Sequence, residues 1–136
     1  MSTERVVLEE AVGLETSGNT HTAVFVRGLH LPAHWTKTFR TAEDEQRQMV
    51  IHVLQGNSTA AEECRQVGQF TVEDLPVGAR NQVSLQVTIS IDECGRLSLC
   101  ARGPRGRSLA VSGNILDLRT QGLADFTGLG GQWGSW

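Results

Sequence analysis

The sequence has no apolar run long enough to cross a membrane. None of its segments approaches the eighteen or more consecutive apolar residues that a spanning helix needs. Near the N-terminus, Val6-Val7-Leu8 is too short for the core of a signal peptide. These two absences lead us to expect a cytoplasmic protein.

Cysteine is scarce, and its count is odd, with residues at positions 64, 94 and 100. An odd number makes a poor disulfide framework, and reduced thiols suit a cytosolic protein. Cys94 and Cys100 flank a predicted turn at Gly95. A cross-strand disulfide between them is therefore the alternative to three free thiols.

Lysine is nearly absent, since Lys37 is the only one, and the formal net charge is −3. Such a balance predicts no broad attraction to nucleic acid or to an anionic membrane surface. We therefore expect neither of them as a partner.

Motifs for catalysis and for cofactor binding are also missing. The chain has no glycine-rich phosphate loop between a strand and a helix, and no Gly-x-Ser-x-Gly nucleophile motif. His30 and His34 have the spacing of metal ligands on one helix face, but Pro32 between them excludes a regular helix. We expect no enzyme activity, no cofactor and no metal site.

What the sequence does contain is the alternation of β-strands. Residues 21–27 and 85–91 alternate with a period of two, and the second segment has one apolar and one polar face. Residues 49–54 are apolar on both faces, which predicts a strand between two packed layers. With their turns, these segments predict an all-β fold, an antiparallel β-sandwich of about eight strands, over residues 1–112.

Residues 113–136 have a different character and are predicted to form a C-terminal tail. Asn114 is placed to cap a short helix from Ile115 to about Phe126, and an extended tail is the alternative. The glycine-rich end is predicted to be flexible, with Trp133 and Trp136 exposed.

Four segments of the sequence resemble one known family. They are residues 38–46, residues 49–56, Gly68-Gln69-Phe70 and residues 89–97. Over Val12 to Arg102 the chain resembles the peptide-binding β-domain of the seventy-kilodalton heat-shock chaperone family (DnaK-type). The resemblance implies a protein that holds extended polypeptide and does no chemistry of its own. The nucleotide-binding half and the helical lid of that family have no counterpart in these 136 residues.

The resemblance also implies a site in which two loops rise over a channel for an extended peptide. Residues 13–19 match the first loop, and residues 39–44 match the second. By that match a hydrophobic pocket for one aliphatic side chain is lined by Leu14, Phe39, Met49 and Ile51. Ser17 and Ala42 form the two halves of an arch over the peptide. The residues expected to lie along the peptide and hydrogen-bond it are the backbone around Thr16, together with Arg40, Ala42 and Gln46.

The family pattern differs at several positions, among them Gly18-Asn19, Ala79-Arg80-Asn81 and two residues of the site. Ser17 is small and polar where the family commonly has methionine or alanine, and Met49 replaces a β-branched residue, which makes the pocket shallower or more deformable. Peptide binding with altered selectivity is the implied function, independent of ATP and with unfolded hydrophobic segments as partners. The alternative is a structural or regulatory adaptor that binds one fixed protein partner.

The tail itself is a candidate ligand. Residues 114–119 carry leucine next to a positive charge, which suits an open hydrophobic groove, and tethering raises their effective concentration. We therefore consider that the tail occupies its own groove or a neighbour's, with a helix packed on the sandwich as the alternative.

Overall fold

The computed structural model describes residues 4–76, 78–79 and 82–124 of the chain. Two short 3-10 turns lie at Ala61–Glu63 and Pro104–Gly106. The strands of this part are β1 (Glu4–Leu8), β2 (Val12–Thr16), β3 (Thr20–Phe25), β4 (Ala33–Arg40), β5 (Met49–Gln55), β6 (Arg65–Val72), β7 (Ser84–Ile91), β8 (Leu97–Arg102), β9 (Ser108–Leu109), β10 (Val111–Ile115) and β11 (Thr120–Ala124).

All pairings between these strands are antiparallel. The order is β10-β6-β5-β2-β3 in a five-stranded sheet and β4-β7-β8-β9 in a four-stranded sheet, while β1 and β11 form a separate pair. The prediction of an all-β antiparallel sandwich is therefore confirmed. The described residues contain eleven strands rather than about eight, in part because the residues of β1 and β11 were not predicted to form strands.

The core lies between the two larger sheets. Alternation along β7 is confirmed, since Leu85, Val87, Ile89 and Ile91 are all buried. The predicted burial of both faces of β5 is wrong at Val50, which is 44% exposed. Val50 lies on the face of the sheet away from the core, opposite Thr71 of β6.

The predicted turn between β7 and β8 is confirmed. The Asp92 carboxylate accepts hydrogen bonds from the backbone N–H groups of Cys94 and Arg96, both at 2.9 Å. Gly95 has a φ of +85°, a left-handed conformation that glycine adopts without steric cost. The three cysteines are free thiols, so the alternative of a Cys94–Cys100 disulfide is wrong.

The helix predicted from Ile115 is also wrong, and the extended alternative is correct. Val111–Ile115 pairs with β6, and Thr120–Ala124 pairs with β1. Pairing with distant strands satisfies the backbone here, and the glycines at positions 113 and 122 disfavour a helix. The predicted domain boundary after residue 112 falls inside β10. Trp133 and Trp136 lie outside the described residues.

Residues 114–119 consequently do not occupy a groove in this structure. Asn114 and Ile115 belong to the ladder with β6, the Leu116 N–H donates to the Val67 carbonyl at 2.8 Å, and Leu118 is buried in the core. The leucine-bearing segment is thus an integral part of the sandwich.

A buried glutamine joins this C-terminal segment to the rest of the fold. Gln55, at the end of β5, donates from Nε2 to the carbonyls of Glu10 (3.3 Å) and Arg119 (2.9 Å). Its Oε1 accepts the Arg119 N–H at 2.7 Å. The side chain is 1% exposed, so these bonds form away from water and hold residues 10 and 119 together.

Candidate functional site

Of the two loops expected to frame the site, the first is shorter than the family match suggested, and the second begins and ends later. Residues 12–16 form β2, so the first loop is residues 17–19. The second loop is residues 41–48, between β4 and β5.

The four predicted pocket residues all belong to the apolar core of the sandwich. Leu14 and Ile51 are buried, with 6% and 5% exposure, and Phe39 and Met49 are partly buried against the same core. β2 and β5 are neighbouring strands, and Leu14 pairs with Val53. The sheet pairing thus brings together side chains that are far apart in sequence.

Four cavities among the described residues are lined by other side chains, and none of them includes these four residues. The Lys37 ammonium is 5.8 Å from the Phe39 ring centroid, within reach of a cation–π attraction. Phe39 and Met49 are the two less buried of the four residues.

The first loop is exposed and makes a tight turn. Ser17 is exposed, and Gly18 and Asn19 have φ values of +81° and +56°. At its base the hydroxyls of Thr16 and Thr22 are hydrogen-bonded at 2.9 Å. Thr16 and Ser17 are therefore accessible to a ligand from solvent, as the family match requires.

Residues 56–64 form a further segment, which lies along the outer edge of β3 and is hydrogen-bonded to the first loop. The Ala61 N–H donates to the Asn19 carbonyl and the His21 N–H to the Thr59 carbonyl, both at 2.8 Å. The His21 ring is buried, and its Nδ1 lies 3.1 Å from the Ser58 carbonyl and 3.3 Å from the Cys64 sulfur. Sequence reasoning missed this support, because no local pattern relates residue 64 to residue 21.

The second loop is organised by Gln46. Its Oε1 accepts the N–H groups of Ala42 (2.8 Å) and Glu43 (3.3 Å), and its Nε2 donates to the Gln48 carbonyl at 2.9 Å. The sequence analysis expected Gln46 and Ala42 to hydrogen-bond a peptide. In this structure the Ala42 N–H and most of the Gln46 amide are engaged within the loop. Arg40 is exposed at the end of β4.

Thr41, at the start of the second loop, supplies a testable prediction. The residue is 1% exposed, and its hydroxyl has no hydrogen-bond partner among the described residues. Thr41→Val replaces this unsatisfied hydroxyl with a methyl group of similar size, so we expect stability to rise by about 1 kcal/mol. Urea unfolding measures the change. Thr41→Ser, which keeps the hydroxyl and removes the methyl group, is the matched control and should lower stability. A Thr41→Val variant less stable than the native chain contradicts the prediction.

Two further observations concern the described part of the chain. No helix within residues 4–76, 78–79 and 82–124 is long and apolar enough to span a membrane. The same residues bring together no group of three or more histidine, cysteine, aspartate or glutamate side chains that could hold a metal ion.

Comparison with known proteins identifies the family of the chain. Residues 5–108 match the family model described as "Hsp70 protein". The chain is 32% identical over 119 residues to the chaperone protein HscA homolog of Actinobacillus pleuropneumoniae serotype 5b (strain L20), which covers 88% of this chain and 19% of that protein. It is 34% identical over 119 residues to chaperone protein HscA of Yersinia pseudotuberculosis serotype I (strain IP32953), covering 88% of this chain and 18% of that protein.

The matched region therefore spans about a fifth of the length of these curated relatives. The family match itself covers well over half of the present chain, including β2 to β8 and both loops of the candidate site. The chain belongs to the Hsp70 protein family.

Proposed function

We propose that the chain is a chaperone-type peptide-binding module, which holds extended hydrophobic segments of unfolded polypeptides without ATP and without chemistry of its own. The observation that carries the proposal is that Leu14, Phe39, Met49 and Ile51 belong to one apolar core and lie on the strands that border the first and second loops. The names of the relatives, which are chaperones, support it. A cytoplasmic location remains the prediction made from the sequence.

Burial of one side chain in the pocket does not supply the whole binding free energy of a peptide. Burying one leucine side chain contributes roughly 1.5–3 kcal/mol, whereas a micromolar complex needs about 8 kcal/mol. Backbone hydrogen bonds along the exposed Thr16, Ser17 and Arg40 have to supply the remainder, as in other proteins that bind extended peptides. Because those bonds do not depend on peptide sequence, we expect the site to accept many sequences. We also expect binding to be weak and rapidly reversible.

We expect the less buried residues of the predicted pocket, Phe39 and Met49, to move when a peptide side chain enters it. Met49 is unbranched, and its three side-chain torsions let it change shape at low cost. Leu14 and Ile51 are held in the core and form the floor. We therefore expect Met49 to move more than the floor residues when a peptide binds.

A fluorescence anisotropy titration with a labelled leucine-centred heptapeptide tests the proposal. Saturable binding in the micromolar range is expected, and the same heptapeptide with aspartate at its centre is the control. Equal affinity for the two peptides, or no binding of either, contradicts the proposal.

A second titration tests independence from ATP. The 136 residues contain no glycine-rich phosphate loop, so calorimetry with magnesium and ATP is expected to show no saturable heat. The peptide titration repeated with ATP should give the same affinity. Saturable ATP binding, or a shifted peptide affinity, overturns this part of the proposal.

The alternative function is an adaptor that keeps the sandwich and binds one fixed protein partner. The observation that favours it is the burial of Leu14 and Ile51, whose side chains are about as buried as other core residues. The heptapeptide titration separates the two functions, because an adaptor without a usable pocket does not distinguish leucine from aspartate at the peptide centre.

A further inference from the structure

The two larger sheets have four edges, and three of them are protected. The outer edge of β3 is covered by residues 59–60, through a bridge from Thr20 to Ala60 and the bond from His21 to Thr59. β9 is only two residues long. β4 carries the charged Lys37 and Arg40. Short strands, covering loops and charged side chains are the usual means of preventing an edge from pairing with another chain.

The fourth edge, β10, has none of these features. Its sequence, Val-Ser-Gly-Asn-Ile, contains no charged residue and no proline. Four of its five residues are exposed, Ile115 is 44% exposed, and the following Leu116 is 56% exposed. Within the described residues β10 pairs only with β6, so its outer edge presents unpaired backbone groups.

The register with β6 determines which groups face outward. The Ala110 carbonyl accepts the Glu73 N–H at 2.9 Å, and the Leu116 N–H donates to the Val67 carbonyl at 2.8 Å. Even-numbered residues therefore direct their backbone groups toward β6. In an antiparallel ladder the intervening residues direct theirs to the other side, so the outward groups belong to Val111, Gly113 and Ile115.

We propose that the outer edge of β10 binds β10 of a second copy of this chain, antiparallel, with a two-fold axis at Gly113. The axis pairs Gly113 with Gly113, and Val111 of each copy with Ile115 of the other. In this register each pair exchanges two main-chain hydrogen bonds. The five-stranded sheet then continues across the dimer.

The side chains match this two-fold arrangement. Val111 and Ile115 are both β-branched and lie two residues on either side of Gly113, so the strand reads nearly the same from both directions. Val111 packs against the core, and Ile115 shares its face because side chains alternate along a strand. Pairing Val111 with Ile115 of the second copy extends the apolar core and introduces no like charges. Because the strand is nearly symmetric about Gly113, a second copy of β10 fits this register, whereas an unrelated peptide gains nothing from it. The symmetry therefore favours a second copy as the occupant.

Sedimentation velocity of the full chain, from micromolar to submillimolar concentration, tests the proposal. We expect a dimer whose fraction rises with concentration. Ile115→Pro removes an outward N–H while leaving the bonds to β6, since proline is tolerated at strand edges. This variant is expected to lose the dimer. Ile115→Val keeps the N–H and is the matched control, expected to dimerise. A monomeric wild type overturns the proposal, and so does a folded Ile115→Pro variant that still dimerises.

Disulfide cross-linking tests the register, in a chain with Cys94→Ser and Cys100→Ser. Oxidation of the double variant Val111→Cys/Ile115→Cys is expected to give a covalent dimer. Each single variant should remain unlinked, because its cysteine and that of the second copy lie about 13 Å apart along the strands, beyond the reach of a disulfide. Failure of the double variant to cross-link overturns the proposal. Equal cross-linking by a single variant overturns the register. If a labelled peptide binds the β10 edge of a monomeric chain, the edge belongs to another partner, and the proposal is overturned as well.

Discussion

Met49→Asp is expected to abolish binding of the leucine-centred heptapeptide while leaving the fold intact. Met49 is partly buried at the first residue of β5, beside the second loop. In the free chain its replacement can reach water. In the complex the carboxylate is trapped without a partner against an aliphatic side chain, at a cost of several kcal/mol. Affinity should therefore fall below the range that the anisotropy titration detects.

Met49→Leu is the matched control for this experiment. It keeps the volume and the apolar character of the side chain, and such substitutions usually cost less than about 1.5 kcal/mol. Circular dichroism and urea unfolding establish that both variants are folded. If Met49→Asp binds the heptapeptide as tightly as the native chain does, the assignment of the pocket is wrong.

Gln55→Ala is expected to lower the free energy of unfolding by about 3 kcal/mol, because it leaves the partly buried Glu10 carbonyl and Arg119 N–H without partners. The exposed Arg119–Glu10 ion pair at 3.6 Å cannot replace these bonds, since surface pairs contribute little. Urea unfolding measures the loss. Hydrogen exchange should show faster opening of β11, which directly follows Arg119.

Gln55→Met separates the hydrogen bonds from the packing. Methionine fills a similar volume. Its thioether cannot donate to the two carbonyls and is only a weak acceptor for the Arg119 N–H. A loss close to that of Gln55→Ala is expected if the bonds dominate. A Gln55→Met chain as stable as the native one shows that the residue acts by packing alone, and contradicts the prediction.

The hydrogen bonds that hold the loops of the candidate site were the hardest part of the structure to predict from the sequence. The family resemblance named Gln46 as a peptide contact, yet its amide closes the second loop onto Ala42 and Glu43. A glutamine near an arch has the same appearance in sequence whether it binds a ligand or its own loop. Only the positions of the neighbouring N–H groups distinguish the two roles.

The C-terminal segment shows the same limit for the fold. Locally, residues 114–118 have a cap and an apolar stripe that suit a helix, and helix signals act over a few neighbouring residues. The strand forms because β6 offers a ladder to residues more than forty positions away. Pairing at such sequence separation leaves no local pattern.

The sequence by itself determined the β class, the half-buried β7 and the turn at Asp92–Gly95, because alternation and turn chemistry act over a few residues. Its resemblance to one family also named the residues of the candidate site, and their role in peptide binding stays a prediction. Only the tertiary structure decided that Val50 faces water, that the Gln46 amide bonds within its own loop, that Gln55 joins residues 10 and 119, and that β10 is an unprotected edge. Most of these depend on which strands become neighbours, and that choice is made by packing the whole chain.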